Sequence, residues 1–139
     1  MSEREKLVTK IEQQAVPPGS AEIVVSLEDF FNGNDDLGSI GCNLGSEQQP
    51  VAEFHRVLKN IRSRPEVQDV LVRICDYSDP TSWPFSDTVY IITRADLATV
   101  REWVAPLLPD EVDAEWMYEK PLAAPALDSA MTPYSVWGD

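Results

Sequence analysis

Runs of β-branched residues alternate along this chain with amphipathic stretches, and that alternation limits the folds open to it. Glu22 to Leu27 (EIVVSL), Val67 to Asp76 (VQDVLVRICD) and DTVYIIT have the composition of strands. Between the first two, AEFHRVLKNIRSR sets Phe54, Val57, Leu58 and Ile61 at i, i+3, i+4 and i+7. That is the stripe of an amphipathic helix, stopped before Pro65. After DTVYIIT, Asp96 is placed to cap a helix whose buried stripe is Leu97, Val100, Trp103, Val104 and Leu107. VDAEWMYE, beyond the Pro109-Asp110 turn, reads as a last strand. Ser2 to Ala15 adds an N-terminal amphipathic helix with Leu7, Val8 and Ile11 at helical spacing, ended by Pro17-Pro18-Gly19. The order is a helix followed by β-α-β-β-α-β, the ferredoxin-like pattern of the α+β class.

The 139 residues, 43% of them hydrophobic, suffice for one domain with its own core. Its expected extent is 1–120, with the N-terminal helix in 1–16 and the βαββαβ core in 22–118. The remainder, 121–139, is rich in Ala and Pro and lacks periodicity, and reads as an irregular C-terminal tail. Right-handed crossovers would set the third strand between the first two, antiparallel to both. The glycine run after the first strand, the YSDPTSWPFS loop and the LLPDEVD turn would then meet at one end of the sheet. That end would gather Asp35, Asp36, Asp76, Asp79, Asp87, Asp110 and Glu111, with Cys42 and Cys75 nearby. Both faces of the strands carry apolar groups, such as Ile23 and Val25 against Val24, while two helices cover only one face. The N-terminal helix, the tail or a second copy must cover the other, and a two-fold sheet-to-sheet homodimer is the favoured solution.

Charge and motifs exclude several functions. With 24 acidic and 11 basic groups the net charge is −13, a field that repels nucleic-acid phosphates and anionic lipid and suits a basic partner. No apolar run approaches the ~20 residues of a membrane span. MSEREKLVTK is charged where a signal peptide needs an apolar core, and two cysteines without a secretory context read as reduced thiols, so a cytoplasmic location is expected. The run FFNGNDDLGSIGCNLG contains G-x-x-G but no phosphate-binding fingerprint, and no Lys or Arg lies between Ala15 and His55. Asn32, Asn34 and Asp36 alternate like the start of a calcium loop, but the glycine comes one position late and Asn43 stands where a bidentate glutamate is required. No metal site and no cofactor is expected. The chain has no C-x-x-C, and His55, its one histidine, sits a residue off the apolar stripe and reads as exposed helix surface.

A ligand or partner surface is therefore expected where the two long loops meet, from Asn34, Asp35, Asp36, Ser39, Cys42, Asn43, Trp83, Phe85 and Asp87, with no catalytic set among them. The motifs DFFNGN, GSIGCNL and WPFSDTVYIIT resemble a family of uncharacterised bacterial proteins, over roughly the span from the first strand to the last. The resemblance implies a bacterial, free-standing cytoplasmic domain without a known cofactor, and it carries no catalytic residues across. The first expectation is a non-enzymatic interaction or regulatory module, for instance an acidic inhibitor or immunity-type protein with a basic partner. One alternative is a small-ligand sensor, since Asp36-Leu37-Gly38-Ser39-Ile40 resembles the Asp-x-Gly turn of amino-acid-sensing domains. Another is a small enzyme with its site at the 32–43 and 76–87 loop end.

Overall fold

A computed structural model of the chain describes residues 2–15, 22–41 and 50–138. Helix α1 (Glu3–Gln14) starts at Ser2, whose hydroxyl accepts from the Glu5 amide, and it buries Leu7 and Ile11. Strand β1 (Val24–Ser26) is shorter than EIVVSL suggests, because Ser26 caps a helix hidden in that run, α2 (Leu27–Phe31). The Ser26 hydroxyl accepts from the Asp29 amide at 3.1 Å, and Leu27, Phe30 and Phe31 enter the core. Helix α3 (Val51–Arg62), strands β2 (Val67–Arg73) and β3 (Thr88–Thr93) and helix α4 (Leu97–Val104) follow as the sequence predicts. Asp96 caps α4, its carboxylate accepting from the Thr99 amide at 2.9 Å. The last predicted strand shrinks to β4 (Glu111–Asp113), and Thr132–Trp137 form a further strand, β5.

The protein is α+β with one five-stranded antiparallel sheet, in the order β1-β2-β3-β5-β4. The ferredoxin-like arrangement is corrected by that order. β2, not β3, lies in the middle of the first three strands, and β1 pairs with it antiparallel, Val25 opposite Val72. The cause is α2. A single helix between β1 and β2 would return the chain parallel; α2 and the segment after it add one more reversal, so β2 comes back antiparallel. The irregular tail is corrected as well. β5 pairs with β3 from Thr132 to Trp137 and with β4 at its C-terminal half, so the end of the chain is an interior strand.

The sheet separates two cores. One face packs against the four described α-helices, where Val70, Val72, Ile74, Val89 and Ile91 meet Leu7, Phe30, Leu58 and Val104. The other face carries Val24, Leu71, Tyr90 and Ile92, covered by the stretch between β4 and β5 through Trp116, Met117, Ala124 and Met131. The face expected to need a cover thus receives it from the C-terminal part of the chain itself. At the β1 edge, the Gln14 side chain mimics a neighbouring strand: its amide donates to the Val24 carbonyl at 2.7 Å and its oxygen accepts from the Val24 N–H at 3.1 Å. No helix among the described residues is long and apolar enough to cross a membrane.

Candidate functional site

After α2 the chain turns at Gly33, with φ +79°, and a Cβ there would lie 2.9 Å from the Cβ of Glu3, so α1 rests directly on the turn. Asn34 organises the loop from 34 to 39. Its amide donates to the Ser39 hydroxyl at 3.0 Å, and its oxygen accepts from the Asp36 N–H at 3.0 Å. One Asp36 oxygen accepts from the Gly38 N–H at 2.9 Å, capping a short 3-10 turn at Leu37–Ser39. The other reaches across to the Trp83 N–H at 3.1 Å. Ile40 then bridges to Ser86, whose N–H donates to the Ser39 carbonyl at 2.8 Å. The two loops do meet, although β1 and β2 are antiparallel, because the segment after α2 runs back along the sheet.

Residues 76–85 form the opposite wall. Asp76 accepts from the amide and hydroxyl of Ser78, and Asp79 from the amide and hydroxyl of Thr81 and the hydroxyl of Ser82. The bonds from the Ser78 amide, then its hydroxyl, hold the Asp76 carboxyl below the usual carboxylate range. Those from the Thr81 hydroxyl, its amide and the Ser82 hydroxyl do the same for Asp79. Both are anions at neutral pH. Arg4 of α1 fixes this wall from behind, donating to the carbonyls of Ser82 at 2.8 Å and Asp79 at 2.9 Å. Between the walls lies a cleft of about 250 Å³ lined by Asp36, Asp76, Asp79, Tyr77, Trp83 and Phe85, with Gly38 and Ser82. Trp83 is half-buried and its indole N–H, itself buried, finds no acceptor among the described residues. Three carboxylates on aromatic walls favour a cation whose flat or methylene part stacks on the rings.

A second polar cluster lies on the other face of the sheet. The Arg73 guanidinium pairs with Glu22 at 2.5 Å and approaches Asp87 at 3.4 Å and the Cys75 sulfur at 3.2 Å. The Cys75 thiol donates to Asp87 at 2.8 Å. Cys75 as a residue reaches solvent, yet its sulfur is turned onto these partners. Burial, then the bond to the Asp87 carboxylate, pushes the thiol up to about 12. A thiol so held is protonated at neutral pH and a poor nucleophile. Tyr90 completes the cluster, donating to Glu22 at 2.9 Å; burial, then that bond, raises its phenol above the ordinary value.

The residues singled out from sequence thus divide. Asp36, Trp83 and Phe85 line the cleft, Asn34 and buried Ser39 brace its turn, and Asp35 is exposed beside it. Asp87 belongs to the Arg73 cluster, while Cys42 and Asn43 lie outside the described residues. Tyr77 and Ser82 were legible as loop residues but not singled out, and Arg4 gave no signal, since its partner carbonyls are far along the chain. His55 is corrected: it is not free helix surface but stacks on Phe31, ring centroids 4.8 Å apart, and burial, then Lys59, lowers its imidazole. No three His, Cys, Asp or Glu side chains among the described residues are placed to hold a metal ion.

The family described as Uncharacterized protein YfbO family matches residues 2–136 of the chain. A relative, Uncharacterized protein YfbO of Escherichia coli (strain K12), is 40% identical over 123 residues, 88% of this chain and 86% of the relative. No solved structure matches. Residues 2–136 take in α1, the sheet up to Val136 and both walls of the cleft.

Proposed function

This chain belongs to the YfbO family of uncharacterised proteins, and from that premise we propose that it is a non-enzymatic interaction module whose acidic cleft receives a basic side chain of a protein partner. The observation that carries the reading is the cleft itself, with Asp36, Asp76 and Asp79 around Tyr77, Trp83 and Phe85. Its carboxylates are preorganised by backbone and hydroxyl donors, so little ordering cost attends binding. Each retains lone pairs for an incoming cation, which a guanidinium engages in pairs. An aromatic face adds about 0.5–2 kcal/mol, more as water is excluded. The net charge of −13 attracts a basic protein and makes association salt-dependent.

The small-ligand reading uses the same cleft, and Asp36 does cap the Gly38 amide in an Asp-x-Gly turn. Charge favours a basic side chain instead: three carboxylates line the cleft, and its described lining holds no basic side chain to receive the carboxylate of a free amino acid. For the enzyme reading at the loop end, with Asp35, Asp36 or Cys42 as its candidates, both Asp36 oxygens are engaged by the Gly38 and Trp83 backbone N–H groups, and Cys42 lies outside the described residues. A second copy is the less favoured partner, because the chain covers the face that motivated a dimer. A cytoplasmic setting accords with Cys75 as a free thiol. The test is affinity purification from source cells with the wild type and an Asp76→Asn/Asp79→Asn double variant. Asparagine keeps the turn caps while removing two charges. A basic protein retained by the wild type and lost by the variant supports the proposal; identical captured sets refute it.

A further inference from the structure

The stretch 114–131 joins two neighbouring strands, β4 and β5, but crosses the sheet's second face to do so. It is longer than the ~12–15 residues at which structureless connections become uncommon and usually functional. Its contacts with the sheet are specific, and they include the Tyr118 ring beneath the Arg73 guanidinium, 5.3 Å from its centroid. Trp116 sets its ring edge-on to Tyr90, centroids 4.9 Å apart, and Met117, Ala124 and Met131 cap Leu71, Ile92 and Val24. At one end the Tyr90 hydroxyl accepts from the Met117 N–H at 3.3 Å. At the other end sits Gln68, which the sheet register skips between Val67 and Asp69. That bulge re-aims its side chain onto the strap. There its amide donates to the Ala126 carbonyl and its oxygen accepts from the Asp128 N–H, both at 2.9 Å.

We infer that 114–131 is a lid that opens as one unit while the sheet stays intact, uncovering the apolar face of Val24, Leu71, Tyr90 and Ile92. Both ends of the lid are pinned by β4 and β5, so opening breaks no strand pairing. Its backbone N–H groups bond either in local turns, Ala124 to Pro121 and Met131 to Asp128, or at the two latches, Asp128 to Gln68 and Met117 to Tyr90. Regions with few buried apolar contacts and no ladder open below the global unfolding free energy. The two latches grip opposite ends of one short apolar cover, so releasing either frees the whole.

Amide hydrogen exchange by NMR on the full chain tests this. The Met117 and Asp128 amides, bonded to Tyr90 and Gln68 of the sheet, report the lid, and the Tyr90, Ile91 and Ile92 amides report the sheet. The lid amides should share one opening constant and exchange at least about a hundredfold faster than the sheet amides, after correction for intrinsic rates. Gln68→Ala should speed Met117 as well as Asp128 by about tenfold, and Tyr90→Phe should speed Asp128 as well as Met117, each leaving the sheet's protection above the lid's. Lid amides as protected as those of β3 would overturn the inference. So would variants whose effect is confined to the amide next to the deleted group.

Discussion

Gly33→Ala should damage the docking of α1 and, with it, the wall of the cleft. Gly33 has φ +79°, where a residue with a Cβ is disfavoured by about 1–2 kcal/mol. The added Cβ would also lie 2.9 Å from the Cβ and 3.0 Å from the Cγ of Glu3. A Cβ cannot swing aside as the end of a side chain can, so α1 must move. Moving it strains the Leu7 and Ile11 packing and the Arg4 bonds to residues 79 and 82. Overpacking of this kind costs about 1–3 kcal/mol. The sum is about 2–5 kcal/mol, or a Tm lower by about 8–20 °C at about 4 °C per kcal/mol for a chain of this size. Thermal denaturation followed by circular dichroism measures it. Two further variants separate the causes. Gly33→Asn tolerates positive φ but keeps the clash, and Glu3→Gly in the Gly33→Ala background removes the clash but keeps the φ cost. A Tm within about 2 °C of the wild type for Gly33→Ala would refute the close approach of α1 to this turn.

Three other outcomes are expected. Gln14→Ala leaves the Val24 N–H and carbonyl without their partner and opens the β1 edge, costing about 1–3 kcal/mol in denaturant and raising light scattering with concentration. In a Cys42→Ser background, alkylation of Cys75 at pH 8 should run roughly 50–100-fold slower than for an ordinary exposed cysteine. The small thiolate fraction at a value of about 12 is only partly offset by the greater nucleophilicity of a basic thiolate, and Asp87→Asn should speed the reaction. Because the folded state lowers the His55 imidazole, His55 contributes stability above the unfolded value of about 6.5 and loses it as pH falls, when the unfolded chain takes the proton first. Urea titrations at pH 7.5 and 5.5 should show that loss in the wild type, and His55→Phe, which keeps the stack on Phe31, should flatten it.

The helices α1, α3 and α4 were legible because each runs long enough to show its stripe and two begin at a capping side chain. Helix α2 was hidden because five residues give no period, and Val24, Val25 and Leu27 together look like a strand. The available signal was Ser26 three residues before Asp29, a cap read as the end of a strand. Without α2, β2 is expected to run parallel to β1, and the expected sheet order follows from that. β5 was hidden by Pro133, which argues against an interior strand. β4 covers only residues 135–137 of β5, so at 133 the missing N–H leaves no bond to β4 unmade. The meeting of the two loops survived the wrong topology, since an extra reversal brought the 32–41 segment to the same end by another path. Which loop residues face each other was beyond the sequence. Asp36 reaches Trp83 while Asp87 turns to Cys75, and only the turn geometry decides that.

The most direct test of the cleft is an NMR titration of the full chain with a short arginine-rich peptide at low and high salt. Binding there should shift the amides of Gly38, Tyr77, Ser82 and Phe85 together with the Trp83 indole N–H. The shifts should shrink at high salt and be largely lost in Asp76→Asn/Asp79→Asn. Shifts spread over other acidic surfaces, such as Glu111 and Asp113, with those cleft signals unmoved, would contradict the assignment of this cleft as the binding site.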